Sequence, residues 1–297
     1  MDIREFLIQK VGRIIPDRIF IQIKYLQWFG RLCNLRNPQT YNEKLQWLKL
    51  HDRNPIYTTM VDKYEVKKYI SERIGTEYVI PSIGGPWDRF EEIDFDELPD
   101  QFVLKTTHDC GGVVICKDRK HFNKSEAKVF LEKHLKSNYY LTAREWPYKN
   151  VKPRIFAETY MKDKAQNGNQ NEQLTDYKFF CFDGEVKALF IATDRADTTK
   201  ETKFDFFDAD FNHLDLIQGH PNAEITPSKP ASFELMKQLA SKISKGIPQL
   251  RVDFYEVGDR IYVGELTFFH YSGNVPFKPE KWDYIFGSWI KLPNQKA

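Results

Sequence analysis

Two carboxylates that an alternating strand pair brings face to face constrain this chain more than any other feature. Arg251-Val252-Asp253-Phe254 and Val263-Gly264-Glu265-Leu266-Thr267 lie on either side of Gly258-Asp259. Alternation of period two reads as strand, and a short Gly-Asp turn folds two such strands into a hairpin. Residues i and i+2 share a face, so Arg251 and Asp253 point together, as do Glu265 and Thr267. Folding at the turn brings Asp253 opposite or nearly opposite Glu265. Facing carboxylates repel unless a cation lies between them. Mg²⁺ is the natural candidate, since it takes oxygens from one or two carboxylates plus substrate phosphates. Arg251 beside them suits a transferring phosphoryl group. An exposed hairpin with solvated charges is the plainer alternative.

The rest of the chain predicts further hairpins interleaved with helices. Up to about residue 50 the pattern is helical: Ile3, Phe6, Leu7 and Val11 repeat at helical spacing, as do Tyr41, Leu45, Trp47 and Leu48. Thr40 with Glu43 makes a capping box. Another helix is expected over 57–73, stopping at Gly75. Strands are expected at 78–81, 101–105, 112–117 and 154–161, with a helix at 125–137 capped by Ser125. Residues 162–175, rich in Asn and Gln, read as a loop. Strands at 177–182 and 186–193 flank Asp183-Gly184, a strong hairpin signal. A helix over 232–247 precedes the carboxylate hairpin, and the C-terminal region reads as aromatic and irregular. Antiparallel hairpins among helices argue for an α+β fold rather than a doubly wound parallel sheet.

Charge excludes one class of partner. The 44 basic and 42 acidic residues nearly cancel, so there is no global pull toward nucleic acid, although a local phosphate pocket is allowed. Cys33, Cys110, Cys116 and Cys181 show no metal-ligand spacing and fit a reducing compartment. No secretory signal or spanning apolar stretch is read, which predicts a cytoplasmic protein with at most a peripheral membrane contact through its N-terminus.

Three further segments carry chemistry. Phe102 to Lys105 is an apolar strand ending in Lys, followed by a small polar turn through Thr106, Gly111 and Gly112. Such a turn lets backbone N–H groups approach a phosphate, with Lys105 as a point charge; an ordinary glycine hairpin is the alternative. Asp62-Lys63 leads a helix, where a lysine opposes the helix dipole and hints at an anionic partner; a solvated charge is the alternative. Glu158, Tyr160 and Met161, then Asp176 and Lys178, form strand ends that suit an adenine ring and ribose hydroxyls, or are simply strand ends.

Taken in order, these pieces resemble the ATP-grasp superfamily. The resemblance implies two α+β subdomains clamping ATP: a helical N-terminal segment over 1–62, subdomain 1 over 63–157, and subdomain 2 with the metal site over 158–297. It makes Lys63 and Lys105 the two ATP lysines, with Thr106, Gly111 and Gly112 in the phosphate-covering loop. Glu158, Tyr160 and Met161 become the adenine hinge, Asp176 the ribose acid, and Lys178 a residue reaching a phosphate. Asp253 and Glu265 become the Mg²⁺ carboxylates and Arg251 the catalytic arginine. More narrowly, Asn37-Pro38-Gln39-Thr40-Tyr41-Asn42-Glu43-Lys44-Leu45-Gln46-Trp47, DKYEVKKYI, DYKFFCFDG and GELTFFHYSG resemble the TupA-like branch, associated with teichuronopeptide and surface-polysaccharide biosynthesis.

One departure is Thr267, where many ATP-grasp enzymes carry an Asn that completes the metal site. Another is the short helical segment ahead of Lys63, in place of a full acceptor-binding domain. The implied chemistry is Mg-ATP-dependent joining of a carboxylate to an amine through an acyl phosphate, with a small-molecule or polysaccharide-precursor substrate such as a uronic acid. Residues 162–175 would be the lid, and Arg195, His270 and Tyr271 candidate acceptor contacts. A sugar kinase on the same scaffold and a non-catalytic nucleotide binder are the competing readings.

Overall fold

A computed structural model of the protein describes residues 12, 14–162, 174–194 and 201–293. The repeat from Ile3 to Val11, most of the expected lid and Arg195 lie outside the described residues. Two antiparallel sheets organise the chain. The smaller takes β1 (Ser82–Trp87), β2 (Phe102–Thr106), β3 (Val113–Cys116) and β4 (Ile155–Thr159) in the order β1-β4-β2-β3. The larger takes β5 (Asp176–Phe182), β6 (Glu185–Thr193), β7 (Lys203–Asp208), β8 (Leu250–Val257) and β9 (Arg260–Thr267) in the order β7-β6-β5-β8-β9. The expected α+β architecture is therefore present.

Each sheet has its own core. Phe95, Phe102, Leu104, Leu131 and Ile155 fill the small one. The large core joins Phe179, Phe180, Phe206, Val252 and Phe254 to side chains of α2 (Tyr41–His51), α3 (Ile56–Val61), α4 (Val66–Ile74), α7 (Phe233–Ser244) and α8 (Lys281–Trp289). Helix α1 (Asp17–Phe29) contributes Tyr25. The expected boundaries need correction on this basis. The break at 157/158 falls inside β4, an inner strand that pairs with both β1 and β2. The helical N-terminal segment packs onto the large core through Tyr41, Leu45 and Leu48.

Local chemistry explains most of the elements. Thr40 and Glu43 form the capping box in full, and Gly75 closes α4 through its N–H to Ser71 O. The single helix expected over 57–73 is instead two. Asp62 stops α3, and its Oδ1 accepts from the N–H groups of Tyr64 and Glu65 while Arg154 holds Oδ2 at 3.1 Å. A side chain competing for backbone donors in this way breaks a helix that periodicity alone would continue. Asn123, not Ser125, caps α5 (Lys124–Leu135). The strand expected at 78–81 is reduced to a 3₁₀ turn, Thr76–Tyr78, and one Val79–Val263 bridge. The true strand, β1, runs through Gly84, Gly85 and Pro86, residues that read as breakers. The C-terminal region, expected to be irregular, contains α8. Asp183 and Gly184 sit at φ 49° and 83°, the mirror-image turn that suits a two-residue hairpin.

Candidate functional site

The glycine turn after β2 is a folded cradle. Thr106 N–H donates to Gly112 O at 2.8 Å, and its hydroxyl is bonded to the Asp109 carboxylate. A Cβ on Gly112 would lie 1.8 Å from Thr106 Oγ1, so only glycine closes the turn, and Gly111 adopts φ +101°. Burial pushes Asp109 up, but hydrogen bonds from Thr106 and His134 and the charge of Lys63 outweigh it and hold the carboxyl low. Thr106, expected to touch phosphate, is fully buried and engaged within the turn.

Lys63 lies over this cradle from the break between α3 and α4. Its N–H donates to Thr107 O at 3.0 Å, and its Nζ donates to the carbonyls of Asp109 and, at 3.4 Å, Thr106. Lys105 takes a different partner, the Glu158 carboxylate on neighbouring β4. Lys67, one turn after Lys63, holds the other Glu158 oxygen at 2.6 Å. Burial raises Glu158, but the two lysines outweigh it and keep the carboxyl below its usual range. Sequence reading missed Lys67; its i,i+4 spacing from Lys63 was the available signal. Tyr160 and Met161 follow β4 as half-buried chain without regular structure.

The carboxylate hairpin folds in the expected register. Asp253 pairs with Glu265 and Arg251 with Thr267, and a bulge skips Gly264 so that Phe254 pairs with Val263. A Cβ on Gly264 would meet the Tyr255 ring at 2.6 Å. Lys178 stands opposite Asp253 on β5, so Lys178, Asp253 and Glu265 form one row across three strands.

Arg251 is the hub of this row. Nε and Nη2 each donate to Asp253 at 2.7 Å, and Nη2 reaches Glu265 Oε1 and Thr267 Oγ1 at 3.0 Å. Burial works against the guanidinium, but the charges of Asp253, Glu265 and Asp176 keep it protonated. Nη1 donates to His270 Nδ1 at 2.7 Å. Burial first, then Arg251, pushes His270 well below its ordinary value, so it is a neutral acceptor. His270 is therefore an Arg251-positioning residue and not the expected acceptor contact. Lys178 bonds Asp176 at 2.7 Å and also Asp253. Both Asp176 and Lys178 are buried and neither lines the cleft, which departs from their expected ribose and phosphate contacts.

The two halves meet in a cleft of about 200 Å³. Lys63, Asp109 and Cys110 line it from the cradle side, and Arg251, Glu265 and Thr267 from the hairpin. Tyr139, Glu145, Tyr148, Tyr271 and Ser272 add further polar groups, beside apolar side chains such as Met60, Val66 and Phe269. Of these polar groups, only Tyr271 was expected; Ser272 lies beside it in the GELTFFHYSG segment, and Tyr139, Glu145 and Tyr148 come from a stretch with no chemical motif. Lys105, Gly111, Gly112 and Glu158 are not among the lining residues.

Among the described residues, no group of three or more His, Cys, Asp or Glu is placed to hold a metal. The cleft offers Glu265, whose side chain is 46% exposed, with Thr267 beside it. That is a fit for Mg²⁺ shared with phosphates. Asp253 has both oxygens engaged by Arg251 and Lys178 and joins such a site only if one of them moves.

The sequence matches the family described as TupA-like ATPgrasp over residues 43–291. No curated protein matches it. Solved structures with a similar fold include a D-alanine–D-alanine ligase from Bacillus anthracis complexed with ATP. That protein is 18% identical, covering 71% of this chain and 54% of its own, with a TM-score of 0.38. An L-amino acid ligase from Bacillus licheniformis is 13% identical over 86% of this chain and 57% of its own, with a TM-score of 0.49. The chain thus spans little more than half the length of these proteins.

Among the described residues, no helix is long and apolar enough to cross a membrane, and all four cysteines are free thiols.

Proposed function

The chain belongs to the TupA-like ATP-grasp family, and from that premise we propose that it is an ATP-dependent ligase joining a carboxylate to an amine. The observation that carries this reading is the cleft that Lys63, Asp109 and Cys110 share with Arg251, Glu265 and Thr267. Lys63, Lys105 and the backbone of Gly111 and Gly112 hold the triphosphate, and Glu158, Tyr160 and Met161 take the adenine. Asp176 serves the ribose and Lys178 a phosphate only if the nucleotide draws them out of their buried pairings.

Glu265 and Thr267, with Asp253 behind them, would hold Mg²⁺, which when bound neutralises charge on the nucleotide phosphates. The substrate carboxylate attacks the γ-phosphorus, the bond to the bridging oxygen breaks and ADP leaves with the electron pair, while Arg251 stabilises the charge that develops there. The amine then displaces phosphate from the acyl phosphate. By family resemblance, the carboxylate is a uronic acid of a surface polysaccharide or its precursor, and the amine an amino acid or similar small amine.

Stoichiometry tests the proposal. With Mg-ATP, inorganic phosphate should appear only when both a carboxylate and an amine are supplied. A phosphorylated sugar accumulating without free phosphate would replace the ligase with a kinase.

A further inference from the structure

Part of the cleft is built around a buried carboxylate. Glu145 follows α6 (Tyr139–Ala143) and is 3% exposed, yet it lines the cleft. Its Oε1 accepts from the Ser272 hydroxyl. Lys49 is fully buried nearby, but its Nζ donates to Ala143 O at 2.9 Å and Ser272 O at 2.8 Å. The carboxylate therefore faces a cation without being clasped by it.

The residues holding this part of the cleft come from far away in the chain. Tyr271 and Ser272 sit at φ 50° and 54°, a left-handed conformation that costs non-glycine residues on the order of 1–3 kcal/mol each. Gln46 Nε2 donates to Ser272 O and Gly273 O at 2.9 and 2.8 Å. Asn42, Gln46 and Lys49 share one face of α2, and all three bind backbone between Ser272 and Val275. Strain maintained by three buried side chains at the rim of a cleft marks a surface built for contact.

We propose that Glu145, Ser272 and the phenols of Tyr139 and Tyr148 form the subsite for the amine co-substrate, with Glu145 as the base that takes its proton. This rests on the ligase reading above. A carboxylate beside aromatic rings attracts an ammonium group, and Arg251, which lines the same cleft, attracts the phosphorylated acid. The ammonium gives one proton to Glu145, and the freed lone pair forms the N–C bond to the acyl carbon. The C–O bond to phosphate breaks, and phosphate leaves with the electron pair and the second proton from nitrogen. Burial favours the neutral form of Glu145, with Lys49, Ser272 and Arg251 acting in the opposite direction. Glu145 in turn raises both phenols, the largest influence on Tyr139 and second to burial on Tyr148. Lys63, Asp109, Cys110, Arg251, Glu265 and Tyr271 are the other titratable residues lining the cleft.

The test compares wild type with Glu145→Gln, using Mg-ATP, glucuronic acid and a pool of amino acids. Amine-dependent phosphate release is expected to fall about 100-fold and to lose its rise with pH through neutrality. Hydroxylamine, a nucleophile already unprotonated at neutral pH, should restore hydroxamate formation to near the wild-type rate. Equal loss with hydroxylamine, or no loss with amino acids, would overturn the proposal. Absence of phosphate release from wild type would count against the ligase reading alone. The amine site is then read by carbodiimide labelling of Glu145, followed by mass spectrometry. Trimethylammonium chloride should protect Glu145 where sodium chloride does not, and equal labelling in both would refute the subsite.

Discussion

Asp253 and Glu265 face each other in register across β8 and β9, yet their side chains are 1% and 46% exposed. The same chemical group therefore has two roles in one row. Asp253 neutralises Arg251 and Lys178 inside the protein, whereas Glu265 presents an oxygen to the cleft.

Substitution should separate those roles. Glu265→Gln is expected to leave the melting temperature near that of wild type while lowering turnover by roughly 100-fold or more. Asp253→Asn leaves two buried cations short of a partner and should cost about 3–5 kcal/mol of stability, read by urea unfolding. Near-normal turnover in the first variant would remove Glu265 from the metal site.

Lys105 and Lys67 share Glu158, so a nucleotide that takes Lys105 leaves the carboxylate one cation rather than none. Lys105→Ala removes a charged hydrogen bond worth about 1.5–3 kcal/mol, which should raise the ATP requirement on the order of 10- to 100-fold. Titration of the initial rate against ATP measures this. An unchanged half-saturation would exclude Lys105 from nucleotide binding.

The glycine cradle makes a paired prediction. Alanine at Gly112 collides with Thr106 Oγ1, so Gly112→Ala should displace the turn and weaken ATP binding together with stability. Alanine at Gly111 meets no atom within 4 Å, and only its φ of +101° opposes it. Gly111→Ala should cost about 1–2 kcal/mol. Thermal unfolding with and without Mg-ATP distinguishes the two.

Acid should unfold the protein in two stages, because the shifted groups have definite signs. Burial and Arg251 depress His270 below the ordinary histidine value of about 6.5, so the stability it contributes is present above that value and declines as pH falls below it. Burial raises Asp253, but Arg251 and Lys178 outweigh it and depress it below the ordinary carboxylate value of about 3.9. Its contribution is present above that value and is lost on further acidification. Melting temperature against pH should therefore bend below about 6.5 and fall again below about 4. His270→Asn should abolish the first bend and keep the second.

The candidate site was legible in the sequence where chemistry and regular backbone coincide. The period of two and the Gly-Asp turn placed Asp253 opposite Glu265, although the bulge at Gly264 has no such pattern. The Lys-to-Gly-Gly spacing located the cradle. Helix α2 announced its start through Thr40 and Glu43, but nothing in it marked Asn42, Gln46 and Lys49 as supports for a turn more than 220 residues away.

What the sequence determined on its own was thus local: strand alternation, turn residues and caps, each depending on neighbours a few positions apart. Tertiary structure decided the rest. It ended a helix at Asp62 through Arg154, buried Asp176 and Lys178, and turned His270 onto Arg251. It also brought Glu145 into the cleft. Those outcomes depend on burial and on partners from distant segments, which set the charge state and orientation of a side chain and leave no periodic trace in the sequence.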